Sequence, residues 1–562
     1  MGGAKMKKNV RDIKIKYQSV NSIDTIITGG NIITMDMLQP IAETVAIKDG
    51  KIFTVGSKNM LNTISTKDTQ IIDLEGRTML PGFIESHTHF ALWGSSLEGV
   101  NGRVEQNQTL DVVLKRLRDK AEETPYGKWI EGFGYDDSLF KENRHFNRYD
   151  LDKVSTNHPI IMRHFTSHFI VANSKALQIA GITKETDDPE GGKIERYENG
   201  ELTGLLIELS AMNLVLKYLP KPSIMDIRRW MQNADQHYSR NGVTSVHEAA
   251  LGFCSGFDDF TGYMETVQNE EVKTRILAYL YHPYWQKLIN EDTEYEGGFS
   301  PWSGDDKFRI GGVKLFQDGS IPGLTAALSE GYYMDPENKG MLATSQETFN
   351  NSVLEALDKG YQIATHGNGD YGIDSIIQGY ANGLSTYPKQ NHRLRIEHCQ
   401  ITREEQIDAM KELGIIASFF SSHVHYFGDR HKDELLGHLR AQRINPMGSA
   451  YKKGIPFGMH NDAPITPTNP LMSIYAAVTR RTLSGDILGP SQRIPVIKAL
   501  QAMTIDAAYL GFEENIKGSI EVGKLADFVV LSENPLQSDI EKLLDINVDM
   551  TIVGGDIVYK NY

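Results

Sequence analysis

Eight short apolar runs, separated by longer amphipathic segments, constrain this 562-residue chain more than any other feature. They are "FIESHTH" (83–89), "GVTSVHE" (242–248), "RILAYLY" (275–281), "GVKLFQD" (312–318), "YQIATHG" (361–367), "LRIEHCQ" (394–400), "IIASFFS" (415–421) and "PFGMHND" (456–462). Strand-like runs alternating with helix-like segments are the pattern of parallel βα units, and eight is the strand number of a (β/α)8 barrel of the TIM type. Intervening segments such as "QETFNNSVLEALDKG" and "TREEQIDAMKELG" close on glycine, as a helix C-cap does. The expected class is therefore α/β.

Two parts fall outside this alternation. Residues 24–79 and 518–562 read as short strands with glycine turns, and neither holds enough apolar residues for its own core. They are expected to pair into one small β-sandwich domain beside a barrel at 80–517, after an N-terminal extension at 1–23. An insertion of about 95–235 separates the first two runs. Barrel active sites sit on the loops at the C-terminal strand ends, so the insertion is expected to cover the site and help select substrate.

Composition excludes several classes. With 58 Lys plus Arg against 73 Asp plus Glu, the net charge of −15 argues against nucleic acid as a partner. The sequence contains no apolar run like a signal peptide or membrane span, so a cytoplasmic protein with no membrane partner is expected. Two cysteines, Cys254 and Cys399, exclude a disulfide framework and a Cys-rich zinc knuckle. A bound metal must then be held by histidines and carboxylates.

Residues of that kind stand at the strand ends. His87 and His89 are two apart and so share one face of a strand. Lys314, His366, His398 and Asp462 lie near the C-terminal ends of four further runs, and in a closed barrel all six converge on one mouth. Such a set suits zinc or a similar divalent ion. A lysine ammonium has no lone pair to donate, so Lys314 becomes a ligand only as a carbamate formed with carbon dioxide. Taken singly, each residue has an ordinary reading: packing for the His-X-His pair, snorkelling for Lys314, satisfied core imidazoles for His366 and His398, a turn for Asp462. Convergence of six is what those readings do not supply.

The order "HTH", lysine, "H", "H", "D" resembles the binuclear branch of the amidohydrolase superfamily. Finer motifs resemble amidohydrolase family 3, the group similar to N-substituted formamide deformylase: "PGFIESHTHF" (81–90), "ANSKAL" (172–177), "GGKIERYENGELTGLL" (191–206), "KLFQDGSIPGLTAAL" (314–328), "ATHGNGD" (364–370), "RIEHCQ" (395–400), "DAPITPTNPL" (462–471) and "GSIEVGKLADFVVL" (518–531).

The resemblance implies a ligand set. His87 and His89 hold one metal, His366 and His398 the other, carboxylated Lys314 bridges them, and Asp462 binds the first and shuttles a proton between an activated water and the leaving amine. Some members of the family keep a single metal, so one or two divalent ions are expected, with zinc the expected metal. The implied activity is hydrolysis of a non-peptide carbon–nitrogen bond, of amide or formamide type, in a small molecule. The alternatives are a cyclic amidase or a deaminase on the same fold, or a non-catalytic binding or regulatory homologue. Lys314 speaks against a deaminase, and the complete set of six against a silent homologue. A homodimer is the default assembly.

Substrate contacts are expected from His423, Asp318, His168 and Trp93, each with a structural alternative. His425 competes with His423, and Asp318 could equally cap a loop. His247 is expected to pack or line the mouth, and Cys399 to face away from it. Relatives commonly carry Asp where this chain has Glu85, Ser where it has Asn461, and Gln-Pro where it has Phe420 and Ser421, which puts metal affinity and substrate choice in doubt.

Overall fold

The computed structural model describes residues 23–60, 65–104, 108–189, 192–253, 255–290 and 301–562. Cys254 and residues 1–22 of the expected N-terminal extension lie outside them.

All eight apolar runs form strands of one parallel sheet: β1 (Phe83–Thr88), β2 (Val243–Leu251), β3 (Arg275–Tyr281), β4 (Phe308–Phe316), β5 (Gln362–Gly367), β6 (Arg395–His398), β7 (Ile416–Phe419) and β8 (Phe457–Met459). Each pairs with its neighbour in chain order, from β1 beside β2 to β7 beside β8. Every residue of β2 is buried, as expected of a strand covered on both faces. The sheet is nearly a closed barrel. Between β8 and β1 the seam is made by other bonds: Ser86 Oγ donates to the Met459 carbonyl at 2.9 Å, and the Asn461 and His89 amides donate to Glu85 Oε1 at 2.8 Å and the Ala463 carbonyl at 3.0 Å. β4 starts four residues before the run read from the sequence, extending the apolar stretch back to Phe308.

Helices cover the barrel where the amphipathic segments predict them. Gln346–Asp358 starts on Ser345, whose Oγ accepts the Thr348 amide, and stops before Gly360 at φ +80°. Glu404–Leu413 ends on Gly414 at φ +72°, a left-handed cap that favours glycine. No helix among the described residues is long and apolar enough to cross a membrane.

The two chain ends share one sheet. Strands Thr25–Ile33, Ile41–Lys48, Lys51–Gly56, Gln70–Asp73 and Thr78–Pro81 join Phe528–Leu531, Val548–Val553 and Asp556–Lys560, the junction being the antiparallel pair Thr78–Pro81 with Phe528–Leu531. Ile27, Val45, Met79, Phe528 and Ile552 belong to its own buried cluster.

After β1 the chain forms helix Phe90–Ser96 and then a six-stranded mixed sheet ordered Lys193–Arg196, Leu202–Ile207, Phe169–Ala172, Ile160–His164, Ile130–Tyr135, Val100–Asn101. Helix Ile224–Arg240 runs through residue 235 and shares the barrel's core, its Ile227 and Met231 clustering with Phe90 and Trp93. Gly94 allows that approach, since a Cβ there would lie 1.7 Å from the Trp230 carbonyl oxygen.

Candidate metal centre

The C-terminal strand ends bring His87, His89, Lys314, His366, His398 and Asp462 to one cavity of about 640 Å³. Alternation along β1 turns Glu85, His87 and His89 to the same side. His87 Nδ1–H donates to Glu397 Oε2 at 2.5 Å, so its Nε2 carries the lone pair. Glu397 is held in turn by Arg395, whose Nε and Nη2 donate to it at 2.8 and 3.0 Å.

The freed His87 Nε2 lies 3.6 Å from Asp462 Oδ1 and 3.3 Å from Lys314 Nζ, while His89 Nε2 lies 3.5 Å from the same Asp462 oxygen. His366 Nδ1 and His398 Nε2 point at each other across 3.0 Å. His366 donates from Nε2 to the Gly319 carbonyl at 3.0 Å, which leaves Nδ1 as its free lone pair.

These spacings fit a metal. Two ligand atoms ~2.1 Å from one tetrahedral ion lie about 3.4 Å apart. Asp462 Oδ1 is buried and has no hydrogen-bond partner among the described residues, an orphan that a cation would satisfy. Ligand atoms of His87, His398 and Asp462 all lie within 4.8 Å of one another.

Electrostatics agree with the geometry. Burial, with Lys314 adding to it, pushes His87 well below the ordinary imidazole range, and burial with the neighbouring imidazoles does the same to His398. Burial takes His366 down to about 3. All three are then neutral donors at physiological pH. Burial also lowers Lys314 to about 8, which enlarges the fraction of free amine, the form that can react with carbon dioxide. Asp462 is raised by burial, which suits a carboxylate that takes and returns a proton.

The expected substrate contacts separate. His423 lines the cavity, its Nδ1 accepting from Gln400 Nε2 at 2.8 Å and its ring 4.2 Å from that of Phe420. His425 instead donates from Nδ1 to the Arg481 carbonyl at 3.1 Å, because the helix His423–Arg430 turns successive side chains apart. His168 lines the cavity beside Glu208, 2.9 Å from its Oε2.

Asp318 borders the cavity, but its oxygens accept the Asn368, Gly369 and Ala327 amides at 3.0, 2.7 and 3.1 Å, so it organises the loops after β4 and β5. Trp93 is the exception to the expectation of substrate contact: it is packed into the core with its ring against His237, 4.9 Å away, under the inserted layer. His247 points into the barrel interior, where Arg395 Nη1 donates to its Nδ1 at 3.0 Å. Cys399 is buried on the helix side with its thiol raised by burial, unsuited to nucleophilic chemistry.

Two residues escaped sequence reasoning. In a regular strand Glu397 and the adjacent His398 would face opposite sides, but His398 at φ +71° breaks that alternation and lets both side chains serve the site. His460 lies in a relay: His398 Nδ1–H donates to His460 Nε2 at 3.0 Å, His460 Nδ1–H to Ser418 Oγ at 2.8 Å, Ser418 to Ser86 Oγ at 2.8 Å, and Ser86 to the Met459 carbonyl. The spacing His460-X-Asp462 was the available signal, since it repeats the two-residue spacing of His87 and His89.

A ring of buried imidazoles, a lysine and an aspartate at the mouth of a parallel barrel defines a metal-dependent hydrolase type of site. The amidohydrolase family model matches residues 70–559, and the chain belongs to the amidohydrolase family. Protein LONG AFTER FAR-RED 3 of Arabidopsis thaliana is 31% identical over 544 residues, 95% of this chain and 91% of that protein. N-substituted formamide deformylase of Arthrobacter pascens is 26% identical over 551 residues, 96% and 98% of the two chains. Among solved structures, an uncharacterized metal-dependent hydrolase from Pyrococcus horikoshii OT3 superposes with a TM-score of 0.74 at 23% identity, covering 92% of this chain and 99% of its own; it shares the fold.

Proposed function

We propose that this amidohydrolase-family protein hydrolyses a non-peptide carbon–nitrogen bond, of amide or formamide type, in a small molecule. The observation that carries the reading is the buried, unpartnered Asp462 Oδ1 facing His87 Nε2 and His89 Nε2 at ligand spacing. The full similarity in length to N-substituted formamide deformylase supports the substrate class.

His87, His89 and Asp462 would hold one divalent ion, and His366 and His398 a second, with Lys314 as a carbamate between them. Zinc is the metal this donor set favours. When bound, the metal polarises the carbonyl and acidifies water, supplying the nucleophile at neutral pH. Asp462 accepts the proton of the attacking water and returns it to the leaving nitrogen. Glu397 keeps His87 in the tautomer that offers Nε2, and His460 does the same for His398. The cavity, bordered by residues of the insertion such as Thr166 and His168, admits a small amide and not a folded polypeptide.

Protein purified without chelators should carry stoichiometric divalent metal and hydrolyse members of a panel of formamides, acylated amines and cyclic amides. Absence of bound metal overturns the reading. Intact-mass analysis under carbon dioxide should show the 314 carbamate, and its absence from metal-loaded protein would leave a single-metal site.

A further inference from the structure

Beyond the metal centre, the cavity is lined by a carboxylate oxygen that makes no hydrogen bond to any described residue. Glu208 follows strand Leu202–Ile207 directly and opens helix Glu208–Leu216. Its φ of +65° is left-handed, a conformation that a non-glycine residue keeps only at an energetic cost and that clusters at functional sites. The Glu208 amide donates to the His168 carbonyl at 2.8 Å, and Glu208 Oε2 lies 2.9 Å from His168 Nδ1. Burial opposes the charge of both partners, but their mutual attraction outweighs it, raising His168 and lowering Glu208. Both shifts favour the charged forms of the pair.

The second oxygen is left over. Glu208 Oε1 is buried without a hydrogen-bond partner among the described residues, while Glu208 lines the cavity. The nearby Thr325 hydroxyl helps to lower the Glu208 carboxyl, but its own hydrogen bonds run to Ser320, accepting the amide at 3.0 Å and donating to the carbonyl at 3.4 Å, and it makes none to Oε1. An ionised carboxylate oxygen in such a place calls for a donor.

We propose that Glu208 Oε1 anchors the substrate, and that the substrate is a small amide carrying, away from the scissile bond, a neutral hydrogen-bond donor such as a hydroxyl or amide N–H. The substrate class rests on the amidohydrolase reading above. A neutral donor is favoured over a cation because His168 Nδ1, 2.9 Å from Oε2, already partners the carboxylate, so Oε1 offers lone pairs to fill more than charge to balance. The adjoining walls, including Leu209, Phe253, Phe316 and Met341, are apolar and suit an otherwise hydrocarbon substrate.

The test uses metal-loaded protein and two short homologous series of hydroxylated amides, the hydroxyl on the acyl part in one and on the amine part in the other. Each compound is paired with the analogue in which methyl replaces hydroxyl. Calorimetric binding and kcat/KM are measured for wild type, Glu208→Gln and Glu208→Leu, with metal content as the folding control. One series should favour its hydroxyl member on the order of tenfold or more in wild type, less in Glu208→Gln and not at all in Glu208→Leu. Because the readout is a ratio within each variant, partial loss of folded protein cancels. A hydroxyl preference that survives Glu208→Leu, or none in wild type, overturns the proposal. Binding preference without turnover upholds the anchor and removes the amidohydrolase reading; equal turnover of both members does the reverse.

Discussion

The ring of His460 sits between a metal-facing imidazole and a serine, and its consequence is a tautomer. If His398 is to offer Nε2 toward His366, its proton must reside on Nδ1, and His460 Nε2 is the acceptor that holds it there. Replacing His460 with alanine leaves that proton without its partner and lets the His398 ring turn. Metal affinity should fall by about 10–100-fold, measured by competition with a chelator, and an unchanged affinity would remove His460 from the site. Asp462→Asn probes a different role: the amide keeps an oxygen for the metal but cannot take a proton. Metal content should persist while kcat drops by about 10²–10⁴-fold, and retained turnover would refute the proton shuttle. The six convergent residues were legible because each is a polar group at the end of an apolar run. Glu397 and His460 were not, because one depends on a left-handed backbone at the next residue and the other on a partner 62 positions away.

Between elements, the departures at Glu85 and Asn461 prove to be one feature. Asn461 donates from its amide to Glu85 Oε1 and from Nδ2 to Oε2, both at 2.8 Å, and its Oδ1 accepts Ser473 Oγ at 2.9 Å. The longer glutamate on β1 thus reaches across the seam to the segment after β8 and fixes the backbone that carries Asp462. Asn461→Ala should cost about 1–3 kcal/mol in urea denaturation, since it strands a buried carboxyl. Burial pushes Glu85 up to about 8, from an ordinary 4.5. The folded state then keeps a proton that the unfolded chain has already released, so this group's contribution is complete below about pH 4.5 and is lost as pH rises toward 8. In metal-free protein the urea midpoint should decline across that window, and less steeply in Glu85→Gln; an identical slope would show that Glu85 does not titrate there. Strand positions were readable from sequence because a buried parallel strand announces itself as an apolar run. This seam was not, because strand pattern does not say which side chain crosses it.

For the whole molecule, the terminal sheet and the barrel meet through charge as well as apolar packing. Arg275, at the start of β3, donates from Nε and Nη2 to the two oxygens of Asp527 at 2.7 and 3.0 Å, and both residues are buried. Beside them the Gly82 amide donates to the Asp527 carbonyl at 2.9 Å, and Thr551 Oγ1 to the Ser239 carbonyl at 2.7 Å. The chain ends could be read as needing each other, since neither has apolar residues enough for a core. Which strand meets which could not, because partners such as Thr78–Pro81 and Phe528–Leu531 are separated by the entire barrel and local periodicity carries no address. The same holds for the inserted sheet, whose two faces feed separate buried clusters. A buried bidentate pair is costly to break from one side, because the surviving charge keeps its desolvation penalty without its partner. Asp527→Ala should therefore lose about 3–5 kcal/mol in urea denaturation, while Arg275→Met combined with Asp527→Leu should recover much of it. Metal content per folded molecule should stay the same in both variants, since the pair stands at the N-terminal end of its strand and the metal ligands at the C-terminal ends. A loss below about 1 kcal/mol in Asp527→Ala would mean that this charge pair adds little to the junction beyond its backbone bonds and apolar packing.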